Sequence, residues 1–117
     1  MIDWAQLRQL EEDVGTEDLG EVVQLFLSEV DEAVAAMVAD MPADASELAA
    51  RMHFLKGSSY NLGFAAFGEY CARGESAALE GDTSTASRAE LSSLYEKSKA
   101  EFLRDFAAHS AAVLEVA

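Results

Sequence analysis

Proline stands at a single position of this chain, Pro42, and on both sides of it apolar residues recur every three or four positions over long stretches. A helix interior excludes proline, and a half-buried strand needs apolar residues at every second position, so the spacing restricts the chain to α-helices. Most glycines fall between the periodic segments, where they end helices. A short first helix is expected over residues 3–13, with Asp3 and Gln6 at capping-box spacing, Leu7, Leu10 and Val14 as its apolar stripe, and Gly15 as its stop. Behind Thr16 a second helix over about residues 17–40 carries Leu19, Val22, Val23, Phe26, Leu27, Val30, Val34, Met37, Val38 and Met41 on one side and acids on the other. After the Met-Pro-Ala-Asp turn, Asp44 and Glu47 repeat the capping spacing and open a third helix that points Ala45, Leu48, Met52, Leu55, Ser59 and Leu62 inward until Gly63. A fourth follows at once with Phe64, Phe67, Cys71, Gly74 and Ala78 on one stripe, and Gly81 and Asp82 break it. The last starts near Ser84 and turns Leu91, Leu94, Tyr95, Ser98, Phe102 and Phe106 inward before a weakly patterned Ala-Ala-Val-Leu-Glu-Val-Ala tail. Four long helices with short connections imply an all-α, up-down-up-down four-helix bundle, with the short N-terminal helix covering one end.

The 117 residues suit one domain, and half of them are hydrophobic, enough to fill a core without disulfides or metal. Cys71 has no second cysteine to pair with, the N-terminal segment lacks the basic start and apolar run of a signal peptide, and no apolar run approaches a bilayer span. A soluble, cytoplasmic protein is expected. Eight Lys and Arg against 22 Asp and Glu leave a formal charge of −14, which repels phosphate backbones and anionic lipid. Neither nucleic acid nor a membrane is therefore an expected partner. The apolar stripes are matched by the four long helices, which predicts a monomer; Leu25, off its helix's main stripe, is expected under the first helix or at a docking surface.

Residues 52–63 read Met-His-Phe-Leu-Lys-Gly-Ser-Ser-Tyr-Asn-Leu-Gly, and the hydrophobic pattern asks for none of His53, Lys56 or Gly57. With His53 at 0° and about 100° per residue, Lys56 lies near −60°, Gly57 near +40° and Tyr60 near −20°, on a face opposite Leu48, Leu55 and Leu62. His53 should face solvent. A glycine inside a helix costs about 0.5 to 1 kcal/mol relative to alanine, so Gly57 needs a reason such as close approach of another molecule to the imidazole one turn away. Lys56, an ordinary solvated lysine if taken alone, places a cation where it can bind the oxygens of an anion on or near the ring.

The segment His-Phe-Leu-Lys-Gly-Ser-Ser-Tyr-Asn-Leu-Gly, with Cys71 downstream, resembles the histidine-containing phosphotransfer domain of multistep phosphorelays, the match resting on His53, Lys56, Gly57, Ser59, Leu62 and Gly63. The resemblance implies that residues 1–117 form one such domain in a two-component system. It implies that His53 carries a transient phosphoryl group, received from and passed to aspartates of response-regulator receiver domains, with a hybrid sensor histidine kinase upstream. It also implies a Gln or Glu helper on the next helix, and Glu75 falls there. A carboxylate at that place can accept a hydrogen bond from His53 Nδ1 and leave Nε2 free for phosphorus; taken alone, Glu75 also reads as a surface acid.

Phosphoryl transfer needs a nucleophile, charge neutralisation and usually a metal ion, and the chain supplies the first with one lysine. No cofactor is expected in this chain, and the divalent cation is expected on the partner receiver domain. No ATP-binding loop of either common type occurs, so the expected role is a phosphocarrier and not a kinase. A di-iron centre needs Glu three residues before each His, but Ala50 and Phe106 stand before His53 and His109. His109 is expected to pack or to serve the C-terminal end of its helix, Ser59 to allow close packing with its hydroxyl on the carbonyl four residues back, and Ser58 has no assigned role. The competing class is a non-phosphorylated helical module that binds a response regulator with the same face.

Overall fold

A computed structural model describes residues 1–114; residues 115–117, the end of the tail and of the expected domain span, lie outside the described residues. Five helices follow in order, α1 Trp4–Val14, α2 Thr16–Ala39, α3 Ala45–Asn61, α4 Ala65–Leu79 and α5 Arg88–His109. The one strand-like pairing among the described residues is an isolated bridge between Ile2 and Phe64.

Short polar side chains start three of the helices. Asp3 accepts hydrogen bonds from the backbone N–H groups of Ala5 and Gln6, Asp44 from that of Glu47, and Ser87 from that of Glu90, so each satisfies donors that the first helical turn leaves unpaired. α5 begins at Arg88 and not near Ser84, because the Asp82 carboxylate accepts from Ser84 N–H and from the hydroxyls of Ser84 and Thr85 and ties that stretch into a local turn. Thr16 does not cap α2. Gly15 takes the cap position, while the Thr16 hydroxyl donates to Glu11.

Each long helix packs against the next and α5 returns to α2, which closes the four-helix ring, while α1 lies against α2 and α3. Gly63, in the left-handed region at φ 84°, makes the tight turn between α3 and α4, and its carbonyl accepts from Asp3 N–H at 2.6 Å. An added Cβ there would run into the Asp3 carbonyl, so the glycine also lets the N-terminal segment lie across the end of the bundle. α1 is fastened to that end by Trp4, which stacks on Phe102 and on His109.

The core runs the length of the ring, with Leu19, Val23 and Val30 from α2, Met52 and Leu55 from α3, Phe67 and Cys71 from α4, and Tyr95 and Phe102 from α5 all at most 1% exposed. Phe64 meets Phe102 and Phe67 meets Tyr95 with ring centroids 5.3 and 5.2 Å apart, in tilted pairs typical of aromatic packing. Burial of side chains of this size stabilises the fold by about 1.5 to 3 kcal/mol each. Leu25 is 60% exposed, so α1 leaves it uncovered. No helix among the described residues is long and apolar enough to cross a membrane.

Candidate functional site

Met52 and Leu55 are fully buried, and that fixes the rotation of α3: His53, between them in sequence, is turned outward with 69% of its side chain exposed. Across the α3–α4 hairpin, Gly74 lies against the Met52 side chain, where an added Cβ would come within 3.1 Å of its methyl carbon. The absent side chain lets α4 sit close to α3 one residue before Glu75. A glutamate there spans the gap.

The Glu75 carboxylate meets both functional side chains of α3. Its Oε2 is 2.7 Å from His53 Nδ1 and its Oε1 accepts from Lys56 Nζ at 2.6 Å. Glu75 is 14% exposed and Lys56 28%, so the pair is shielded while the imidazole stays open to solvent. The Lys56 ammonium holds the Glu75 carboxyl below the usual glutamate range; partial burial opposes this, and the His53 hydrogen bond adds to the lowering. An ionised carboxylate can only accept, so the hydrogen in the 2.7 Å contact belongs to Nδ1. In the neutral ring Nε2 then carries the free lone pair, on the edge away from Glu75.

His53, Lys56 and Glu75 thus come together, and Gly57 lies one turn further along the exposed face of α3, with nothing within 4 Å of where a Cβ would stand. The Lys56–Glu75 ion pair is not among the sequence expectations. Its signal was present in the shared face of His53 and Lys56, which exposes both to whatever acid the next helix presents. His109 is outside this cluster, its ring parallel to Trp4 within 5° at 4.1 Å between centroids. Ser59 is fully buried, but its hydroxyl has no hydrogen-bond partner among the described residues, so the expected bond to the carbonyl four residues back is absent and only the close packing remains. Ser58 is also buried, at 8% exposure. Among the described residues no group of three or more His, Cys, Asp or Glu is placed to hold a metal ion.

A closed helical ring with an outward-facing, acid-anchored histidine has the form of a phosphotransfer module. A family model described as Hpt domain matches residues 21–113, and the chain belongs to that family. Hpt domains are phosphocarriers and not kinases, which gives the chain a phosphotransfer role in two-component signalling. No curated protein and no solved structure matches it.

Proposed function

We propose that His53 is the phosphoryl acceptor, that it takes the group from an aspartate of one receiver domain, and that it passes it to an aspartate of another. The observation that carries this reading is the exposed imidazole whose Nδ1 is occupied by Glu75. In the forward step the Nε2 lone pair attacks phosphorus, the P–N bond forms as the P–O bond of the aspartyl phosphate breaks, and the electron pair returns to the aspartate carboxylate. The ring becomes positively charged during attack, because Nδ1 keeps its hydrogen. The Glu75 carboxylate on that nitrogen stabilises the charge as it develops.

Lys56 contributes a fixed cation beside the ring, which offsets the negative charge of the incoming phosphoryl group. Gly57 keeps the helix low where the partner must descend on His53. The divalent cation belongs to the receiver's acidic pocket, so this chain supplies nucleophile, orientation and access. The same reading expects a hybrid sensor histidine kinase upstream, a monomeric domain and a cytoplasmic location.

The test is incubation with a phosphorylated receiver domain, followed by acid and alkali treatment of the labelled chain. A phosphoryl group on histidine is lost in acid and kept in alkali. A chain that binds the receiver yet takes up no label would be the non-phosphorylated interaction module instead.

A further inference from the structure

α4 carries glycine at positions 68 and 74, and each lies under a side chain of α3. A glycine inside a helix lowers its stability relative to alanine, so each position needs a reason. At 68 the ring of Tyr60 rests where a Cβ would stand, but that ring is 39% exposed and has solvent to swing into. At 74 the outer part of Met52 crosses bare backbone: an added Cβ would stand 3.1 Å from its methyl carbon, 3.3 Å from its sulfur and 3.4 Å from its Cγ. Carbon atoms pack at about 3.5 to 4.0 Å, and Met52 is fully buried with no solvent to retreat into. Met52 and Gly74 each come one residue before the groups that meet at the site, His53 and Glu75. Their contact sets how far apart α3 and α4 stand where the carboxylate has to cross.

We propose that Met52 and Gly74 are positioning residues for phosphoryl transfer: the thioether laid on bare backbone fixes the separation of α3 and α4 at which one carboxylate reaches both His53 and Lys56. The proposal rests on the phosphoryl-acceptor reading of His53 and names what holds Glu75 in place for it. Glu75 cannot make up for a wider gap. Its two oxygens are committed to different partners, at 2.7 Å to His53 Nδ1 and 2.6 Å to Lys56 Nζ, both at the short end of the hydrogen-bond range. A carboxylate that turns to follow one partner withdraws from the other. When α4 shifts outward both bonds lengthen together, the imidazole loses the anchor that selects its tautomer, and Nε2 loses its aim.

A methyl group at 74 has to be met by a shift of Met52 or of α4. Methionine has the torsional freedom to fill a gap, but not to vacate one in a packed core where Leu55, Phe67 and Cys71 are also at 0% exposure. The two positions are therefore reciprocal. Met52→Val deletes the two atoms nearest the added Cβ, the methyl carbon and the sulfur, and gains a second Cγ. Combined with Gly74→Ala it conserves the number of side-chain heavy atoms across the contact, the kind of exchange that a core tolerates best.

The experiment measures labelling of His53 by a saturating ³²P-phosphorylated receiver domain, together with the ¹⁵N chemical shifts of the His53 ring in each unphosphorylated chain. The chains are wild type, Gly74→Ala, the pair Met52→Val with Gly74→Ala, Glu75→Ala, and Glu75→Ala with Gly74→Ala. Gly74→Ala should accept phosphoryl about tenfold more slowly than wild type and show the mixed tautomers of an unanchored ring. The Met52→Val pair should return to a single tautomer and to within about twofold of the wild-type rate. On the Glu75→Ala background Gly74→Ala should slow transfer no further, since a residue that acts through Glu75 has nothing left to position. A wild-type rate and tautomer in Gly74→Ala, or the same slowing with and without Glu75, would overturn the spacing role while leaving His53 as acceptor. If Gly74→Ala alone does not fold, the Met52→Val pair decides: a pair that is also unfolded, or folded with slow transfer or mixed tautomers, overturns the proposal. Absence of label from His53 of the wild type would overturn the acceptor reading, and this proposal with it.

Discussion

Glu75 divides its carboxylate between the two functional residues of α3, one oxygen 2.7 Å from His53 Nδ1 and the other 2.6 Å from Lys56 Nζ. Removing it frees the imidazole to rotate and to change tautomer. A hydrogen bond to a charged group contributes about 1.5 to 3 kcal/mol, so Glu75→Ala should slow receiver-dependent phosphorylation about ten- to a hundredfold. The labelling rate measures this, and ¹⁵N chemical shifts of His53 should show the loss of the single tautomer. An undiminished rate would remove Glu75 from the mechanism.

The same contact makes a pH prediction whose sign follows from the lowered pKa. Lys56 chiefly holds the folded-state carboxyl of Glu75 below its ordinary 4.5, so the ionised form is favoured in the folded chain. Its contribution to stability is complete above the ordinary glutamate value and is lost as pH falls through the lowered one. Melting temperatures of wild type and Glu75→Gln should therefore differ most at neutral pH and converge in acid below that range. Lys56→Met should move the acid loss of stability in the otherwise intact chain to higher pH. If the two melting curves stay parallel down to acid pH, the Glu75 pairing contributes nothing to folding.

Helix type and rotation were legible in the sequence because they follow from apolar spacing, which one chain reports on its own. The outward turn of His53 is of this kind. The start of α5 was not, since Asp82 captures Ser84 and Thr85 by side-chain bonds that compete with helix formation and leave the pattern of Leu91 and Tyr95 unchanged. Contacts between helices were legible only where a resemblance supplied them. Glu75 was expected near His53 on that ground, whereas its bond to Lys56 depends on how close Gly74 lets α4 come to α3.

Gly57 separates a helix defect from a functional clearance. With nothing within 4 Å of an added Cβ, Gly57→Ala should stabilise the domain by about 0.5 to 1 kcal/mol. Gly57→Gln should also stabilise it, yet its side chain stands about one turn from the imidazole and obstructs the receiver. Transfer should fall steeply with side-chain size while the melting temperature rises. Full transfer by Gly57→Gln would remove the steric argument.

Cys71 offers a check on the packing between α3 and α4. Burial pushes its thiol up to about 12, so the reactive thiolate is scarce at neutral pH and shielded as well. Iodoacetamide at pH 8 should leave the native chain unmodified and should alkylate it stoichiometrically in denaturant. Rapid modification of the native chain would mean that the α4 face opens far more readily than this packing allows.

The decisive measurement is mass-spectrometric localisation of the phosphoryl group after incubation with a phosphorylated receiver domain, on wild type, His53→Gln and His109→Gln. His53 is exposed and opposite the core, so its replacement removes the hydrogen bond to Glu75 but no core packing, and a helical spectrum matching that of wild type should isolate the chemistry from the fold. The label should map to His53 in wild type and in His109→Gln and be absent from His53→Gln. Label on His53→Gln, or its loss from His109→Gln while that variant remains folded, would contradict the assignment of His53 as the phosphoryl acceptor.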